Sequence, residues 1–524
     1  MHIKNNGDNM SILWGISALS HDAAIAVIKD RRLVFASHAE RYSRVKNDKN
    51  LHWHLIRDAL NYGSPEKIFY YEKPFLKLTR NIYARQWDVV DRNLKSAITG
   101  EAIRNHINSL GISFKYDLRQ KNISHHLSHA AGGYFTSPFR DATIVVIDAI
   151  GEWEVLTIWK AKDNKLKKIA SQKYPHSIGL FYSAMTQRVG LTPNQDEYIL
   201  MGMAPFGDPF RFYGELTEEF FNMNHSPFLV KDLKQPFPRF KHNLHRGCLW
   251  WKPDGLLAED IYDVAAATQR IYEHLLDDIM EWAFINGESN NLVFSGGCAL
   301  NCVANSKIAK YWDDVWIMPS PGDAGSAIGA ILADLKYHIR WPGPFLGHEI
   351  KGEYPVIKII DELYHNKIVG VASGKAEFGP RALGRRSLLA DPREKNIKDI
   401  INTYKKREPF RPFAPMVLEE CASKIFDMPE GVKRSPYMQY TAKCKVPEQY
   451  PGIVHVDGTS RVQTVGPNDD KDVRNMLEGW FLKTGCPVLL NTSLNIKGEP
   501  LVNSKDDGTA FEKKHNIRIF YDTR

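Results

Sequence analysis

Short apolar runs alternate with polar, glycine-containing turns along most of this chain. Runs bounded by polar turns predict neighbouring strands, first at 11–17, 21–28 and 32–36 and again at 143–148 and 153–159. Apolar residues at helical spacing from Glu259 to Phe284, closed by Gly287, predict a long helix that leads into a strand at 291–294. A further helix is expected from Ala324 onward. The chain is therefore predicted to be α/β, and the repeated strand pattern indicates a duplicated half-domain.

A boundary between two units is predicted where prolines and glycines concentrate, from Trp341 to Tyr354. We expect one domain over 11–345 and a second α/β domain over 350–524. The stretch from Asn224 to Trp251 is rich in proline, histidine and aromatic residues. It is predicted to be an insertion or a loop on the substrate side.

Composition narrows the class of protein further. The chain has 524 residues, of which 43% are hydrophobic, so it can form packed cores. It has no long uncharged apolar run of the kind that spans a bilayer, and residues 1–10 lack the apolar run of a secretory signal. We therefore expect a cytoplasmic protein without a membrane partner. Six scattered cysteines without a Cys-x-x-Cys pair argue against a disulfide scaffold or a structural zinc site.

Most of the excess positive charge lies in one segment. The chain has 69 Lys+Arg and 61 Asp+Glu, a net charge of +8, and the segment from Arg381 to Arg411 has ten basic and four acidic residues. Glycine and proline in its Gly-Pro-Arg and Phe-Arg-Pro-Phe motifs would fix the backbone that carries the arginines. This pattern favours rigidly held guanidinium groups that bind phosphate oxygens over the alternative of a solvated helix face. Binding of a nucleic-acid backbone is the competing interpretation.

A candidate metal site follows Ser124, which is a predicted helix N-cap. His125 and His129 are four residues apart, so on a helix they face the same way and can chelate one metal ion. The best carboxylate candidates are Asp148, at the end of an apolar strand, and Asp323, in a Gly-Asp-Ala-Gly turn. The alternative is a pair of histidines on a helix surface.

Two further signals concern a nucleotide and a base. The strand at 291–294 runs into Gly296 and Gly297, with Asn301 nearby, a turn that lets backbone N–H groups approach phosphate, although close packing is the alternative. His21 follows a buried strand and is a candidate general base or a packed core histidine. The sequence contains no Walker A motif, dinucleotide fingerprint or Gly-x-Ser-x-Gly elbow.

Together these motifs resemble the O-carbamoyltransferase family that includes the tobramycin, cephem and nodulation-factor enzymes. The resemblance covers about residues 11 to 503. The matching motifs are Ser20-His-Asp-Ala-Ala, Glu40-Arg-Tyr-Ser-Arg, Ser124-His-His-Leu-Ser-His-Ala-Ala, Met201-Gly-Met-Ala-Pro-Phe-Gly, Gly296-Gly-Cys-Ala-Leu-Asn-Cys, Pro321-Gly-Asp-Ala-Gly, Gly379-Pro-Arg-Ala-Leu-Gly-Arg-Arg-Ser, Arg407-Glu-Pro-Phe-Arg-Pro-Phe-Ala-Pro and Asn491-Thr-Ser-Leu-Asn.

The resemblance implies a duplicated actin-like ATPase-type N-terminal domain, similar to the universal tRNA threonylcarbamoyl-transfer protein, followed by a YrdC-like α/β domain. It implies that carbamoyl phosphate and ATP, with magnesium, form carbamoyl-adenylate in the second domain. The first domain, with divalent iron, would then transfer the carbamoyl group to a hydroxyl of a small-molecule or nucleotide acceptor. Dimers are common in this family, so a homodimer is one expected assembly. Small anionic substrates also explain the basic segment better than a nucleic-acid partner does.

The resemblance also implies roles for individual residues. His21 is the expected catalytic base. The remaining expectations are His125, His129, Asp148 and Asp323 for the metal, Lys46, Gly296, Gly297 and Asn301 for the adenylate, and Arg381, Lys405 (or its neighbour Lys406), Arg411, Arg461 and Asn491 for carbamoyl phosphate or ATP. Ala149 and Ile199 depart from the family pattern, which usually has Gly and Lys there. Two other hypotheses stay open: a threonylcarbamoyl-type transferase acting on nucleic acid, and a non-catalytic actin-like nucleotide-binding module.

Overall fold

The computed structural model describes residues 11–112, 114, 119–222 and 237–523. Residues 1–10, on which the expectation about a secretory signal rests, lie outside the described residues. So does the segment 223–236, which belongs to the predicted insertion.

The first unit opens with a five-stranded sheet in the order β3-β2-β1-β4-β5. Its strands are β1 (Ile12–Ser17), β2 (Ala24–Lys29), β3 (Arg32–His38), β4 (Lys67–Tyr70) and β5 (Arg119–Asn122), and its helices are α1 (Glu40–Ser43), α2 (Trp53–Leu60), α3 (Pro74–Tyr83), α4 (Trp87–Thr99) and α5 (Ala102–Ser109). β1, β2 and β3 form an antiparallel meander, and β4 and β5 add to β1 in parallel. Buried apolar residues of these strands form the core of this half.

A second five-stranded sheet follows, in the order β10-β9-β6-β7-β8. The elements of this half are α6 (His125–Thr136), β6 (Asp141–Ile147), β7 (Glu154–Lys162), β8 (Lys165–Lys173), α7 (Ile178–Arg188), α8 (Glu197–Met203), α9 (Tyr213–Phe220), α10 (Asp260–Gly287), β9 (Asn291–Ser295), α11 (Cys302–Ile308), β10 (Asp314–Trp316) and α12 (Ser326–Leu335). The long helix and the strand after it confirm the sequence prediction.

The two sheets have the same topology. β6, β7 and β8 form an antiparallel meander, and β9 and β10 add to β6 in parallel, as β4 and β5 add to β1. Helices α6 and α12 follow the last strand of each sheet and pack against each other. An added Cβ on Gly132 would lie 3.2 Å from Gly329 Cα, so the two helices approach at backbone distance. The predicted duplication of the first unit is therefore present in the structure.

The second unit contains an eight-stranded mixed sheet in the order β16-β17-β18-β15-β19-β14-β12-β20 and a two-stranded sheet, β11-β13. Its elements are β11 (Phe345–Ile350), α13 (Val356–Asn366), β12 (Ile368–Ala372), β13 (Gly374–Glu377), β14 (Arg386–Ala390), α14 (Ile397–Lys405), β15 (Ala414–Leu418), α15 (Glu419–Ile425), β16 (Phe426–Asp427), β17 (Tyr440–Cys444), β18 (Thr459–Val465), α16 (Lys471–Thr484), β19 (Val488–Ser493), α17 (Lys505–His515) and β20 (Ile519–Phe520). It has its own hydrophobic core. The architecture is thus a duplicated α/β domain followed by a separate α/β domain, as the sequence indicates.

Side chains at the end of β3 and in the segment after it join the two units. His38 Nε2 accepts a hydrogen bond from the Gly379 N–H (3.1 Å), and Arg41 Nη2 donates to Gly379 O (2.8 Å). Both side chains are buried. Arg44 Nη2 donates to Pro500 O at 2.9 Å. The first unit therefore fixes both backbone groups of the glycine that precedes Pro380 and Arg381.

Candidate active site

Four predicted ligands meet at the junction of the two halves of the first unit. His125 and His129 lie one turn apart on α6, Asp148 directly follows β6, and Asp323 begins the turn before α12. One donor atom from each lies within 4.8 Å of the other three, and all four residues are buried. The alternative of two surface histidines is therefore wrong.

The donor set fits a divalent transition metal. The two imidazole Nε2 atoms lie 3.1 Å apart, and Asp148 Oδ2 is 3.2 Å from each of them. Asp323 Oδ1 lies 3.4 Å from His125 Nε2 and 3.3 Å from His129 Nε2. His129 Nδ1 donates to Pro321 O (3.1 Å), which leaves the lone pair of a neutral ring on Nε2, inside the cluster. Two imidazoles and two carboxylates are a common ligand set for iron, zinc or manganese.

The prediction that Ser124 caps α6 is only half right. Ser124 occupies the N-cap position, but its side chain makes no capping hydrogen bond. Instead, Glu152 Oε1 accepts from the His125 N–H (3.2 Å) and from the Lys73 N–H (2.6 Å). A carboxylate from the turn before β7 therefore takes the place of the serine hydroxyl and fixes the start of the helix that carries both histidines.

The cluster is strongly coupled electrostatically. Burial alone would lower the pKa of His125, but the facing Asp323 and Asp148 carboxylates raise this pKa well above its ordinary value. Burial and the Asp323 charge would raise the pKa of Asp148, yet the hydrogen bonds from His125 and His129 hold it below its ordinary range. The carboxylates therefore stay ionised, and binding of a metal ion would displace the protons from the two imidazole Nε2 atoms.

His21 stands beside this cluster in the turn between β1 and β2. Its Nε2 lies 3.4 Å from Asp323 Oδ2, and its Nδ1 lies 3.1 Å from Asp22 Oδ2. The side chain is 43% exposed and lines a cavity, so it is not the packed core histidine that was the alternative. Burial opposes its protonation, but Asp323 and Asp22 together raise the pKa of His21 to about 9. Without a bound cation the ring therefore favours its protonated form at neutral pH, and a cation bound to Asp323 would offset that carboxylate and favour the neutral ring, which can accept a proton.

One cavity of about 490 Å³ connects this cluster with the second unit. At one end it is lined by His21, Asp148 and Asp323, and at the other by residues of β18, β19 and the loops around α14. Most of the expected site residues line it; the members of the expected set found there are His21, Lys46, Asp148, Gly297, Asn301, Asp323, Arg381, Lys405, Arg411, Arg461 and Asn491. His125, His129 and Gly296 lie behind its wall.

The far end of the cavity concentrates positive charge. Lys497, which pairs with Glu408, also lines the cavity; we call the other six Lys and Arg residues of its lining the cationic pocket: Lys46, Arg381, Lys405, Arg407, Arg411 and Arg461. Among the described residues, no carboxylate lies within ion-pair distance of Arg381, Arg407 or Arg461. Burial and the charge of Arg461 lower the pKa of Arg381 to about 9, and burial and the charge of Arg411 hold the pKa of Arg407 well below its ordinary value. Mutually repelling buried cations of this kind are stabilised by bound anions.

Lys405, not Lys406, belongs to this pocket. The Lys405 side chain is buried, and its Nζ donates to Ser493 O and to Asn495 O (2.5 and 2.8 Å). Lys406 ends α14 in a left-handed conformation and does not line the cavity. Lys405 therefore also fixes the loop after β19, which forms part of the cavity wall.

The residues expected to bind the adenylate, Gly296 and Asn301, and the expected phosphate-site residue Asn491 also have structural roles. Gly296 has φ +93°, and a Cβ there would lie 2.0 Å from Ile147 O, so the turn requires glycine. The Asn301 side chain accepts from the Ala304 N–H at the start of α11 (3.0 Å). Asn491 Nδ2 donates to Ala382 O (3.0 Å), in the segment that follows Arg381.

The two positions that depart from the family pattern, Ala149 and Ile199, both lie at the candidate site. Ala149 and Ile199 both line the cavity, and Ile199 is buried, so it contributes an apolar wall.

The described part of the predicted insertion, 237–251, does not line the cavity. Its apolar side chains, including Phe240, Leu244 and Trp251, pack into the core of the second half. The alternative of a substrate-side loop is therefore wrong for these residues, because their aromatic content serves packing.

Among the cavity residues that sequence reasoning missed, Arg407 and Tyr198 carry chemical interest. Arg407 lies in the quoted Arg-Glu-Pro-Phe-Arg motif, so its charge and position were a usable signal. Its Nε donates to Asn402 Oδ1 (2.6 Å), and its guanidinium stacks 4.0 Å from the centre of the Phe413 ring. Tyr198, on α8, also lines the cavity. An aromatic residue in a helix carries no signal of this kind in the sequence.

No described helix is long and apolar enough to cross a membrane. All six cysteines are free, as their spacing predicts.

Comparison with known sequences identifies the family. The profile described as Carbamoyltransferase N-terminus matches residues 12–332, and that described as Carbamoyltransferase C-terminus matches residues 360–521. With matches over both units, the chain belongs to the carbamoyltransferase family, and it is a transferase. The resemblance inferred from the motifs is thereby confirmed.

Individual relatives agree with this assignment. An uncharacterized protein of Synechocystis is 30% identical over 581 residues, covering 95% of this chain and 93% of the relative. Nodulation protein NolNO of Sinorhizobium fredii is 28% identical, covering 94% of this chain and 76% of the relative. Nodulation protein U of the same organism is 28% identical, covering 92% and 93%. The crystal structure of full-length HypF in its phosphate- and nucleotide-bound form aligns at 12% identity with a TM-score of 0.35, covering 62% of this chain and 55% of that protein.

Proposed function

We propose that this protein is an ATP-dependent O-carbamoyltransferase. It would form carbamoyl-adenylate from carbamoyl phosphate and ATP and transfer the carbamoyl group to a hydroxyl of a small-molecule or nucleotide acceptor. The observation that carries the proposal is the single cavity that joins a cationic pocket to a buried His/Asp cluster. A site for two anionic reactants and a site for acyl transfer thus face one enclosed space.

The first reaction would take place at the cationic pocket. Water cleaves the P–O bond of carbamoyl phosphate, giving phosphate and carbamate, and the carbamate oxygen attacks the α-phosphorus of Mg-ATP with loss of pyrophosphate. Both reactants are anions that repel each other, and Arg381, Arg407 and Arg461, which have no carboxylate partners among the described residues, would neutralise them. Guanidinium forks also hold phosphate oxygens bidentately, which orients the reacting groups.

The second reaction would take place beside the His/Asp cluster. The acceptor oxygen attacks the carbonyl carbon of carbamoyl-adenylate, the bond from that carbon to the AMP oxygen breaks, and AMP leaves. His21 would take the hydroxyl proton, because Asp22 and Asp323 stabilise the ring once it is protonated. A divalent iron held by His125, His129, Asp148 and Asp323 would supply Lewis-acid stabilisation of negative charge on the carbonyl oxygen.

The proposal is tested by the two half-reactions of the full chain. Protein loaded with iron under anaerobic conditions is incubated with Mg-ATP and carbamoyl phosphate, and pyrophosphate and carbamoyl-AMP are measured. A second arm supplies threonine and bicarbonate in place of carbamoyl phosphate. Product only in the first arm supports the proposal, and product only in the second arm replaces it by a threonylcarbamoyl-type transferase. Folded, metal-loaded protein without product in either arm refutes both and leaves a nucleotide-binding module.

The division of labour is tested by His21→Ala and Arg381→Gln. The His21 variant is expected to form carbamoyl-AMP at the wild-type rate without transferring the group, because the histidine acts only at the second step. The Arg381 variant is expected to lose the first step. Loss of both steps in the His21 variant would contradict the assignment. Hydroxylated acceptors are then screened by the 43 Da mass gain of a carbamoyl group, about the mass of HNCO.

A further inference from the structure

The ring of Tyr198 contacts two cations of the cationic pocket that come from different units. The Lys46 ammonium is 5.7 Å from the ring centre, and the Arg411 guanidinium is 4.8 Å from it. Lys46 belongs to the loop after α1, and Arg411 to the loop after α14 in the second unit. All three side chains line the cavity. One aromatic ring thus contacts a cation from each domain.

Contacts around α8 fix the position of this ring. Glu197 accepts hydrogen bonds from Ser183 Oγ (2.7 Å) and from the Asn194 N–H (2.6 Å), which ties the first turn of α8 to α7. Asn47, next to Lys46, gives its N–H to Glu40 Oε2 (3.0 Å). The helix that carries Tyr198 and the loop that carries Lys46 are therefore anchored independently of any ligand.

Arg411 has a second, competing partner. Its Nη1 lies 3.5 Å from Glu408 Oε2, and this carboxylate does not line the cavity. Without the aromatic face, the pull of Glu408 and the repulsion from the other cations of the pocket would both turn the guanidinium away from the cavity. A cation over an aromatic face is attracted to it without being neutralised, so it can still bind an anion.

We infer that Tyr198 is a positioning residue that holds Arg411 and Lys46 in place for binding of the phosphate groups of the substrates. The inference rests on the proposed function for the identity of those substrates. The aromatic face, not the hydroxyl, carries the effect, because both contacts are made to the ring. An apolar side chain without a π face should therefore fail where phenylalanine succeeds.

The test compares Tyr198→Leu with Tyr198→Phe in the full chain. Binding of inorganic pyrophosphate is measured by calorimetry, and KM and kcat for carbamoyl phosphate are measured by pyrophosphate release. We expect Tyr198→Leu to weaken pyrophosphate binding and to raise KM by about tenfold each, with little change in kcat. Tyr198→Phe should bind and turn over within about twofold of wild type. Thermal melting and metal binding of both variants should match wild type, because Tyr198 is only partly buried.

A double-mutant cycle with Arg411→Gln shows whether the ring acts through the arginine. If it does, the loss caused by Tyr198→Leu in the Arg411→Gln background is smaller than in wild type, and what remains is the part that acts through Lys46. Fully additive losses, wild-type affinity in Tyr198→Leu, or equal impairment of the Phe and Leu variants would each overturn the inference. The pyrophosphate measurement needs no turnover, so it separates this inference from the proposed function, which fails only if wild type makes no carbamoyl-AMP.

Discussion

Gly179 is the position where one added methyl group should disturb the candidate metal site without touching it. It is the second residue of α7, and a Cβ there would lie 2.9 Å from both Cα and N of Ala149 and 3.0 Å from Asp148 C. All three are backbone atoms of the turn that carries the Asp148 ligand. This turn is tied to α7, because Ser177 Oγ donates to Ala149 O at 2.7 Å.

The size of the effect follows from the contact distance. Ordinary contacts begin at 3.4 Å, so Gly179→Ala must move the turn, and Asp148 with it, by about 0.5 Å. Overpacking of this kind costs about 1–3 kcal/mol, and replacement of glycine in a helix returns about 1 kcal/mol. We therefore expect a net loss of only about 0–2 kcal/mol in the free energy of unfolding. Displacement of a catalytic ligand by a fraction of an ångström should lower kcat about 10- to 100-fold.

The assay pairs Gly179→Ala with Gly214→Ala. Gly214 is also the second residue of its helix, α9, but a Cβ there would meet no atom within 4 Å. Transfer rate, calorimetric affinity for Mn²⁺ or Fe²⁺, and urea unfolding are measured for both variants. The Gly214 variant should keep wild-type activity and be equally or more stable. Wild-type turnover and metal affinity in the Gly179 variant would refute the reasoning.

Four other outcomes are expected. Arg381→Gln should raise KM for carbamoyl phosphate about 10- to 100-fold without lowering the free energy of unfolding, because its charge has no ion-pair partner among the described residues and is repelled by Arg461; a KM equal to that of wild type would remove Arg381 from the site. Lys405→Met should lower the free energy of unfolding by about 1–3 kcal/mol, since it leaves buried carbonyl groups unpaired, whereas Lys406→Met should be neutral; equal effects in urea titrations would contradict the assignment. Anaerobic chelation followed by return of Mg²⁺ alone should abolish carbamoyl transfer but keep pyrophosphate release, and Fe²⁺ should restore transfer; loss of both activities would argue against separate sites. Burial and the charge of Arg41 lower the pKa of His38 to about 4 from an ordinary value of 6.5, so the native state favours the neutral ring that accepts the Gly379 N–H. The stability that this preference contributes, about 3 kcal/mol in all, is present above pH 6.5 and is lost as the pH falls towards 4. A plot of the free energy of unfolding against pH should therefore have a flatter slope for His38→Gln than for wild type.

The sequence contained enough information to predict the fold class, the duplication and the four residues of the buried His/Asp cluster, which stay predicted metal ligands. Helical spacing put His125 and His129 on one face, and strand ends placed Asp148 and Asp323 at turns. These signals are local and periodic, so they survive without knowledge of tertiary contacts. The four side chains converge because the start of α6, the end of β6 and the turn before α12 meet at the junction of the two related halves.

What the sequence did not reveal depends on contacts between distant segments. Glu152 rather than Ser124 fixes the start of α6, because the β6–β7 turn brings a carboxylate to the His125 N–H. Tyr198 matters through cations 152 and 213 residues away along the chain. A proline- and aromatic-rich stretch likewise gives no indication of whether it faces a substrate or a core. Only the packed structure distinguishes these cases.

The hydrogen bonds that the first unit makes with Gly379 limit how the two domains can be exchanged between related proteins. Gly379, which precedes Pro380 and Arg381, donates its N–H to His38 and accepts a hydrogen bond from Arg41, so part of the geometry of the cationic pocket is set by the neighbouring domain. A second unit that is moved into a relative would keep its own sheet and core. Its turn at Gly379, however, would be shaped for contacts with the first unit of the protein it came from. The two domains are therefore best exchanged together. A chimera that exchanges only the second unit would also need the segment from β3 through α1 of the same parent protein.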